Sequence, residues 1–188
     1  LHKEKHYEES SKYLQLANNL KLGLNPSNCD TLMHLSKTLL IESDKYDINK
    51  KEQTSSSENI FIVGMPRSGS TLLESILSMN NDVYDLGETK FLDDSFIECK
   101  PFKPDLKLAE LYREKINTKT KKNITTDKNL YNYLYVGIIA SQIPNAKIIH
   151  CLRNPLDNIL SIYRTNFSEG NEYSSSLTAC AKVYLNQV

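Results

Sequence analysis

The sequence predicts an α/β domain in which helices cover both faces of a parallel sheet, a three-layer arrangement, preceded by a short α-helical segment. From Asn59 onward, short apolar runs rich in β-branched residues alternate with stretches of helical periodicity. This alternation is typical of parallel sheets. The length of 188 residues suits one domain with an appendage. We therefore divide the chain into a helical segment at 1–42, a linker at 43–58 and the α/β domain at 59–188.

The first part of the chain has helical character. Apolar and small residues recur at steps of three and four between Tyr7 and Leu20. Gly23, with a proline soon after it, is predicted to end this helix. Asp30 is predicted to cap a second, leucine-rich helix. The following stretch, 43–58, is polar and rich in serine without any periodicity, which is typical of a linker.

The α/β part contains four extended runs and a series of helical patterns. A-K-I-I-H-C-L is apolar nearly throughout and predicts a buried strand, in which His150 would be a core residue. Pro155 is a favourable first residue for the helix after it. The predicted strands are 60–64, 83–86, 124–126 and 146–152, and the predicted helices are 70–79, 89–98, 105–117, 130–142, one from Pro155 and one over 174–188.

Composition restricts the classes of partner. Lys and Arg total 23, as do Asp and Glu, so the formal net charge is zero. We expect no binding to nucleic acid, which needs a basic excess, and no membrane span, which needs a long apolar run. The four cysteines are widely spaced and form no metal-ligand pattern. Reduced thiols, no bound metal and a cytoplasmic location are therefore expected.

A glycine-bracketed loop follows the first predicted strand. Gly64, Gly69 and Thr71 match the phosphate-binding pattern G-x-x-x-x-G-K-[ST], but Ser70 stands where the pattern has lysine. Arg67 places a cation inside the loop instead. Backbone amides at a helix start attract anions, and glycine lets a phosphate approach closely. The loop predicts a phosphate-bearing ligand other than ATP or GTP.

A second anion-binding candidate lies in I-I-H-C-L-R-N-P-L-D-N-I-L-S-I-Y. Arg153 follows the last predicted strand, and Ser161 lies two turns into the next helix. These two side chains could hold one phosphate from two sides. This segment alone does not separate that interpretation from an exposed arginine and a serine on a solvated helix face. Arg67, Lys128 and Arg153 each follow a strand, where ligands of parallel sheets bind.

These motifs together resemble a known enzyme family. P-R-S-G-S-T after one strand, and R-N-P-x-D-x-x-x-S-x-Y after another, resemble the sulfotransferases that use 3′-phosphoadenosine 5′-phosphosulfate. The motif sequences are most similar to those of the bacterial tetratricopeptide-repeat sulfotransferases and, more distantly, to those of the tyrosylprotein sulfotransferases. The resemblance covers about 59–188. Y-E-E-S-S-K-Y-L-Q-L-A-N-N-L-K-L resembles the last helix of a terminal tetratricopeptide repeat, so 1–42 would be a remnant of such a repeat.

The resemblance implies a metal-free, in-line sulfuryl transfer to an acceptor hydroxyl or amine. Glu88 matches the general base, and Lys128 matches a lysine near the bridging oxygen, although Asn129 and Leu130 follow it where the family often has proline. Arg67 would also stabilise the developing charge. The implied donor ligands are Arg67, Ser68, Gly69, Ser70 and Thr71 for the 5′-phosphosulfate and Arg153 and Ser161 for the 3′-phosphate.

Two rival functions stay open on the sequence. A P-loop kinase or NTPase would need the absent lysine, and a non-catalytic interaction protein would work through its repeat segment. The acceptor could be a peptide, a glycan, a lipid or a small molecule, and upstream repeats could bind a protein partner. We expect the sulfotransferase domain to be truncated here, with part of the acceptor pocket beyond Val188, so that this piece alone would be poorly active.

Overall fold

A computed structural model describes residues 5–45, 57–99, 107–167 and 169–188. The α/β architecture is confirmed, because the described strands form one parallel sheet with helices around it. The strands are β1 (Glu58–Gly64), β2 (Val83–Asp85), β3 (Ile124–Asp127) and β4 (Ala146–Cys151). The helices are α1 (Tyr7–Leu24), α2 (Cys29–Ser43), α3 (Ser70–Leu77), α4 (Phe91–Cys99), α5 (Leu108–Asn117), α6 (Val136–Gln142), α7 (Pro155–Tyr163) and α8 (Leu177–Gln187), with 3₁₀ helices at Leu130–Tyr135 and Glu172–Ser175.

The described residues fall into two compact units. The sheet unit comprises Lys37–Leu152, and the helical unit comprises Leu1–Ser36 together with Arg153–Val188, each within the described ranges. The predicted linker at 43–58 falls largely on 46–56, outside the described residues. On either side of that gap, α2 ends at Ser43 and β1 begins at Glu58.

The sheet has the order β2-β3-β1-β4. β1 is central because its run I-F-I-V is apolar on both faces, which suits a strand covered on both sides. Phe61 and Ile62 are fully buried. The Phe61 ring stacks on Tyr112 of α5 with centroids 5.5 Å apart. Parallel pairing puts the carboxyl ends of β1, β3 and β4 at one edge of the sheet, which is where ligands of such sheets bind.

The helical unit contains α1, α7, α8 and the second 3₁₀ helix, which pack on one another. The buried residue of α1 is Asn18, whose Nδ2 donates to the backbone oxygen of Tyr163 at 3.0 Å. Tyr7 and Leu20, on the predicted apolar stripe, are exposed. Gly23 lies inside α1, which ends at Leu24, because a glycine in helical conformation does not by itself stop a helix.

Three further predictions of local structure need correction. Asp30 lies in the first turn of α2 rather than at its cap, because the helix begins at Cys29. The predicted helix 130–142 is a 3₁₀ helix followed by α6, started by Asn129, whose side chain accepts from Tyr131 N at 3.2 Å. β4 is an edge strand of the described sheet, in which Lys147 and His150 are exposed and the other residues are half-buried, so His150 is not a core residue.

Other expectations can be compared with the described residues. All four cysteines are free thiols, as predicted. No helix within the described ranges has the length and apolarity needed to cross a bilayer. The same ranges contain no group of three His, Cys, Asp or Glu side chains arranged to hold a metal ion.

Candidate functional site

The loop after β1 is shaped by two glycines. Gly64 has φ +139°, and a Cβ added there would lie 2.5 Å from the backbone oxygen of Cys151 in β4. Only glycine therefore lets β1 end this close to β4. Gly69 has φ +101° and stands at the N-cap position of α3, which begins at Ser70 as predicted. The left-handed conformation turns the chain sharply from strand into helix.

The loop combines an exposed cation with the start of a helix. Gly69 at the N-cap position has no side chain with which to cap α3, and the positive end of a helix dipole attracts anions. Arg67 is exposed and has φ +67°, a conformation that is strained for a residue with a side chain. Strain of this kind is characteristic of ligand-binding turns.

Ser68 tests whether the loop fits an anion. Its Oγ is buried and has no hydrogen-bond partner among the described residues. Leaving a buried hydroxyl unsatisfied costs about 1–3 kcal/mol. A phosphate or sulfate oxygen in the loop would satisfy it, so this residue fits an anionic ligand. Ser70 is buried and Thr71 is exposed within the first turn of α3.

The structure brings Glu88 and Lys128 into direct contact. Lys128 Nζ donates to Glu88 Oε1 at 2.6 Å. Backbone contacts hold the two segments together: Lys128 N donates to the Gly87 oxygen at 2.9 Å, and Asn129 Nδ2 donates to the Thr89 oxygen at 2.8 Å. Asn129 therefore ties the two loops together. Lys128 is 6% exposed, whereas the Glu88 side chain is 67% exposed.

Sequence reasoning missed Glu74, a buried carboxylate on α3. Lys128 Nζ lies 3.9 Å from Glu74 Oε2, and Thr126 Oγ1 donates to Glu74 Oε1 at 3.1 Å. Burial raises the pKa of the Glu74 carboxyl, and the hydrogen bond from Thr126 and the charge of Lys128 oppose that rise. The available signal was a lone acid in the apolar helix S-T-L-L-E-S-I-L, one turn from the loop.

Asp127, next to Lys128, accepts hydrogen bonds that hold this part of the chain in place. Its Oδ2 accepts from Tyr112 Oη at 2.9 Å, and its Oδ1 accepts from Asn129 N and Asn132 Nδ2, both at 3.1 Å. Burial raises the pKa of this carboxyl to about 6 against the lowering effect of these hydrogen bonds. Asp127 therefore fixes the chain direction after β3, and with it the position of Lys128.

Arg153 and Ser161 lie in the helical unit. Arg153 follows β4 by two residues, and its backbone oxygen accepts from Tyr184 Oη at 2.9 Å. Asn154 caps α7 by accepting from the amides of Leu156 and Asp157 at 3.0 and 3.3 Å. Ser161 is on α7, as predicted. Their role as phosphate ligands stays a prediction.

Comparisons with known proteins indicate the family of the chain. The family model described as "Sulfotransferase domain" matches residues 57–177. The chain is 30% identical over 191 residues to an uncharacterized protein of Aquifex aeolicus (strain VF5), and the match covers 89% of this chain. The chain spans about a quarter (25%) of the length of that curated relative. No solved structure matches the chain. Because the family model covers most of the chain, including the loop, Glu88, Lys128 and Arg153, the chain belongs to the sulfotransferase domain family.

Proposed function

We propose that this protein transfers a sulfuryl group from 3′-phosphoadenosine 5′-phosphosulfate to an acceptor hydroxyl or amine, as a sulfotransferase of the tetratricopeptide-repeat type. One observation carries the proposal. The parallel pairing of β1 and β3 brings the loop of Arg67 and Ser68 and the Glu88–Lys128 pair to the same edge of one sheet. The proposed anion-binding loop and the acid–base pair therefore lie at the same end of the sheet.

The donor would be held by the start of α3 and its loop. Arg67 provides a planar cation, Ser68 Oγ lacks a partner in the described structure, and Gly69 leaves the backbone open to a phosphate. Ser70 and Thr71 add hydroxyl donors. Arg153 and Ser161 would hold the 3′-phosphate. When bound, the donor supplies the sulfuryl group and a bisphosphate leaving group.

In the proposed reaction, an acceptor oxygen or nitrogen attacks sulfur while the bond from sulfur to the bridging oxygen breaks. Glu88 takes the proton that the acceptor loses, a contribution of about 10²–10⁴-fold for a general base. Lys128 and Arg67 stabilise the negative charge that develops on the bridging oxygen. These roles need Lys128 to leave its contact with Glu88 in the reacting complex.

Calorimetric titration with adenosine 3′,5′-bisphosphate tests the donor site. The wild-type protein is expected to bind it, and Arg67→Ala is expected to weaken binding by roughly 10- to 100-fold, the effect of losing a charged hydrogen bond. Lys119→Ala is the matched control. Lys119 is an exposed cation that precedes β3, at the opposite edge of the sheet, so its loss should leave affinity unchanged. Magnesium-dependent ATP binding without bisphosphate binding would favour a kinase instead.

A labelled-sulfate transfer assay identifies the acceptor class. The panel comprises a tyrosine peptide, an N-acetylglucosamine oligosaccharide, a lipid headgroup and p-nitrophenol. We also propose a cytoplasmic location, supported by the four free thiols, and a protein partner bound through repeats upstream of α1. If Arg67→Ala and Glu88→Gln both leave the protein's cellular role intact, a non-catalytic interaction protein is the better description.

A further inference from the structure

Lys128 is shared by two carboxylates in different surroundings. Glu88, at 2.6 Å from Lys128 Nζ, is largely exposed, whereas Glu74, at 3.9 Å, is only 7% exposed. Glu88 lies on a loop and can change its rotamer in solvent. Glu74 is held on α3 and is tied to β3 by the hydrogen bond from Thr126. The two acids therefore differ in how easily they can release the ammonium group.

We propose that Glu74 is a positioning residue, a fixed counter-ion that keeps the Lys128 ammonium in place when Lys128 leaves Glu88 for the sulfuryl donor. This inference rests on the proposed function. Glu74 touches neither reactant and acts through Lys128. It also links Lys128 to α3, the helix whose first turn would hold the phosphosulfate.

The physical argument starts from the burial of Lys128. Lys128 is 6% exposed, and an ammonium group this deeply buried is strongly unfavourable without a counter-charge. If Glu88 were its sole partner, Lys128 would stay paired with Glu88. Glu88 could then not accept the proton of the acceptor, and Lys128 could not stabilise the bridging oxygen. Glu74 supplies a second negative charge from a buried position. Lys128 can then release Glu88 to accept the proton without becoming an unpaired buried charge.

The contacts of Glu74 indicate a role for its charge as well as its shape. Thr126 Oγ1 donates a hydrogen bond to Glu74 Oε1, and Glu74 Oε2 lies 3.9 Å from Lys128 Nζ. A glutamine of the same shape could keep the contact with Thr126 but would offer no counter-charge. An aspartate would keep the charge and lose one methylene of reach. The two substitutions therefore separate charge from packing.

The test compares Glu74→Gln and Glu74→Asp in the transfer assay, using the best acceptor of the panel. We expect Glu74→Gln to lower kcat by at least about tenfold, with the KM for the acceptor and the bisphosphate affinity changed by less than about threefold. Glu74→Asp should recover part of that loss. The matched control is Glu98→Gln, which removes an exposed carboxylate that pairs with Lys115 at 2.5 Å and should leave kcat unchanged.

A wild-type kcat in Glu74→Gln overturns the inference. A kcat lower in Glu74→Asp than in Glu74→Gln also overturns it, because packing alone would then explain the effect. A double-mutant cycle of Glu74→Gln and Lys128→Met in urea unfolding gives a readout independent of activity, and the inference expects non-additive changes in the free energy of unfolding. If the cycle is non-additive but the wild type binds no bisphosphate, the proposed function is refuted while the ion-pair contact is upheld. Additive changes refute the contact itself.

Discussion

Replacing Asp127 by asparagine is expected to change how the stability of this protein depends on pH. The carboxyl is buried and accepts three hydrogen bonds, two through Oδ1 and one through Oδ2. An asparagine oxygen in the Oδ1 position keeps the contacts from Asn129 and Asn132. Its amide nitrogen then meets the Tyr112 hydroxyl, which can accept a hydrogen bond instead of donating one. The substitution therefore removes the charge and keeps the network.

The size of the effect follows from the pKa of Asp127. Burial raises that pKa from its ordinary value of 3.8 to about 6, so the folded state binds the proton more tightly than the unfolded state. The cost of ionising the buried group is absent below pH 3.8 and complete above pH 6. At about 1.4 kcal/mol per pH unit, it amounts to about 3 kcal/mol at neutral pH. Stability relative to the asparagine variant therefore falls as pH rises.

Urea unfolding followed by circular dichroism at pH 4 to 8 measures this difference. The unfolding free energy of Asp127→Asn minus that of the wild type should rise by about 2–3 kcal/mol across the range. Glu98→Gln, which removes an exposed carboxylate, should give a difference that is flat to within about 0.5 kcal/mol. A flat difference for Asp127→Asn would show that folding leaves this pKa unchanged, and a difference that falls with pH would show that the folded protein stabilises the ionised carboxylate. Either result refutes the reasoning.

Two further pairs of substitutions test local structure by thermal unfolding. Gly64→Ala should destabilise the protein by about 2–4 kcal/mol, because its Cβ would lie 2.5 Å from the Cys151 oxygen at a φ that favours glycine. Gly23 lies inside α1, and no atom from outside that helix would lie within 4 Å of a Cβ added there. Gly23→Ala should therefore stabilise the protein by about 0.5–1 kcal/mol. An equal loss of stability in Gly64→Ala and Gly23→Ala would contradict the argument from close approach. Asn154→Ala should cost about 1 kcal/mol through loss of the α7 cap, whereas Asn154→Asp should keep the cap, and identical melting of the two variants would argue against it.

The sequence predicted elements best where local periodicity and burial agree. β1 and the start of α3 at Ser70 were placed correctly, because a buried strand and a glycine turn leave strong local signals. β4 was located but its burial was wrong, because an apolar run does not reveal whether a strand lies at a sheet edge. His150 is exposed for that reason. The 3₁₀ start at Leu130 depends on the Asn129 cap, which helical periodicity does not distinguish from an α-helix.

The candidate site was predicted unevenly for a related reason. Arg67 and its loop could be recognised from adjacent residues, because the glycines and hydroxyls are contiguous. The contact of Glu88 with Lys128 joins residues 40 positions apart, and only the family resemblance connected them. Glu74 was missed because its significance depends on which strand α3 faces. That information lies in the three-dimensional packing and not in the helix pattern.

The central place of β1 has a consequence for synthesis of the chain. The next strand along the chain, β2, does not pair with β1. The first strand that does is β3, whose first residue comes 66 residues after the first residue of β1. The ribosome adds about 5–20 residues per second, so several seconds pass between synthesis of the apolar run I-F-I-V and synthesis of the first strand that pairs with it. Such a run can associate with copies of itself while it waits. Glu58 before it and Pro66 and Arg67 after it interrupt β-association, so residues of the loop after β1 also act as gatekeepers for the nascent chain.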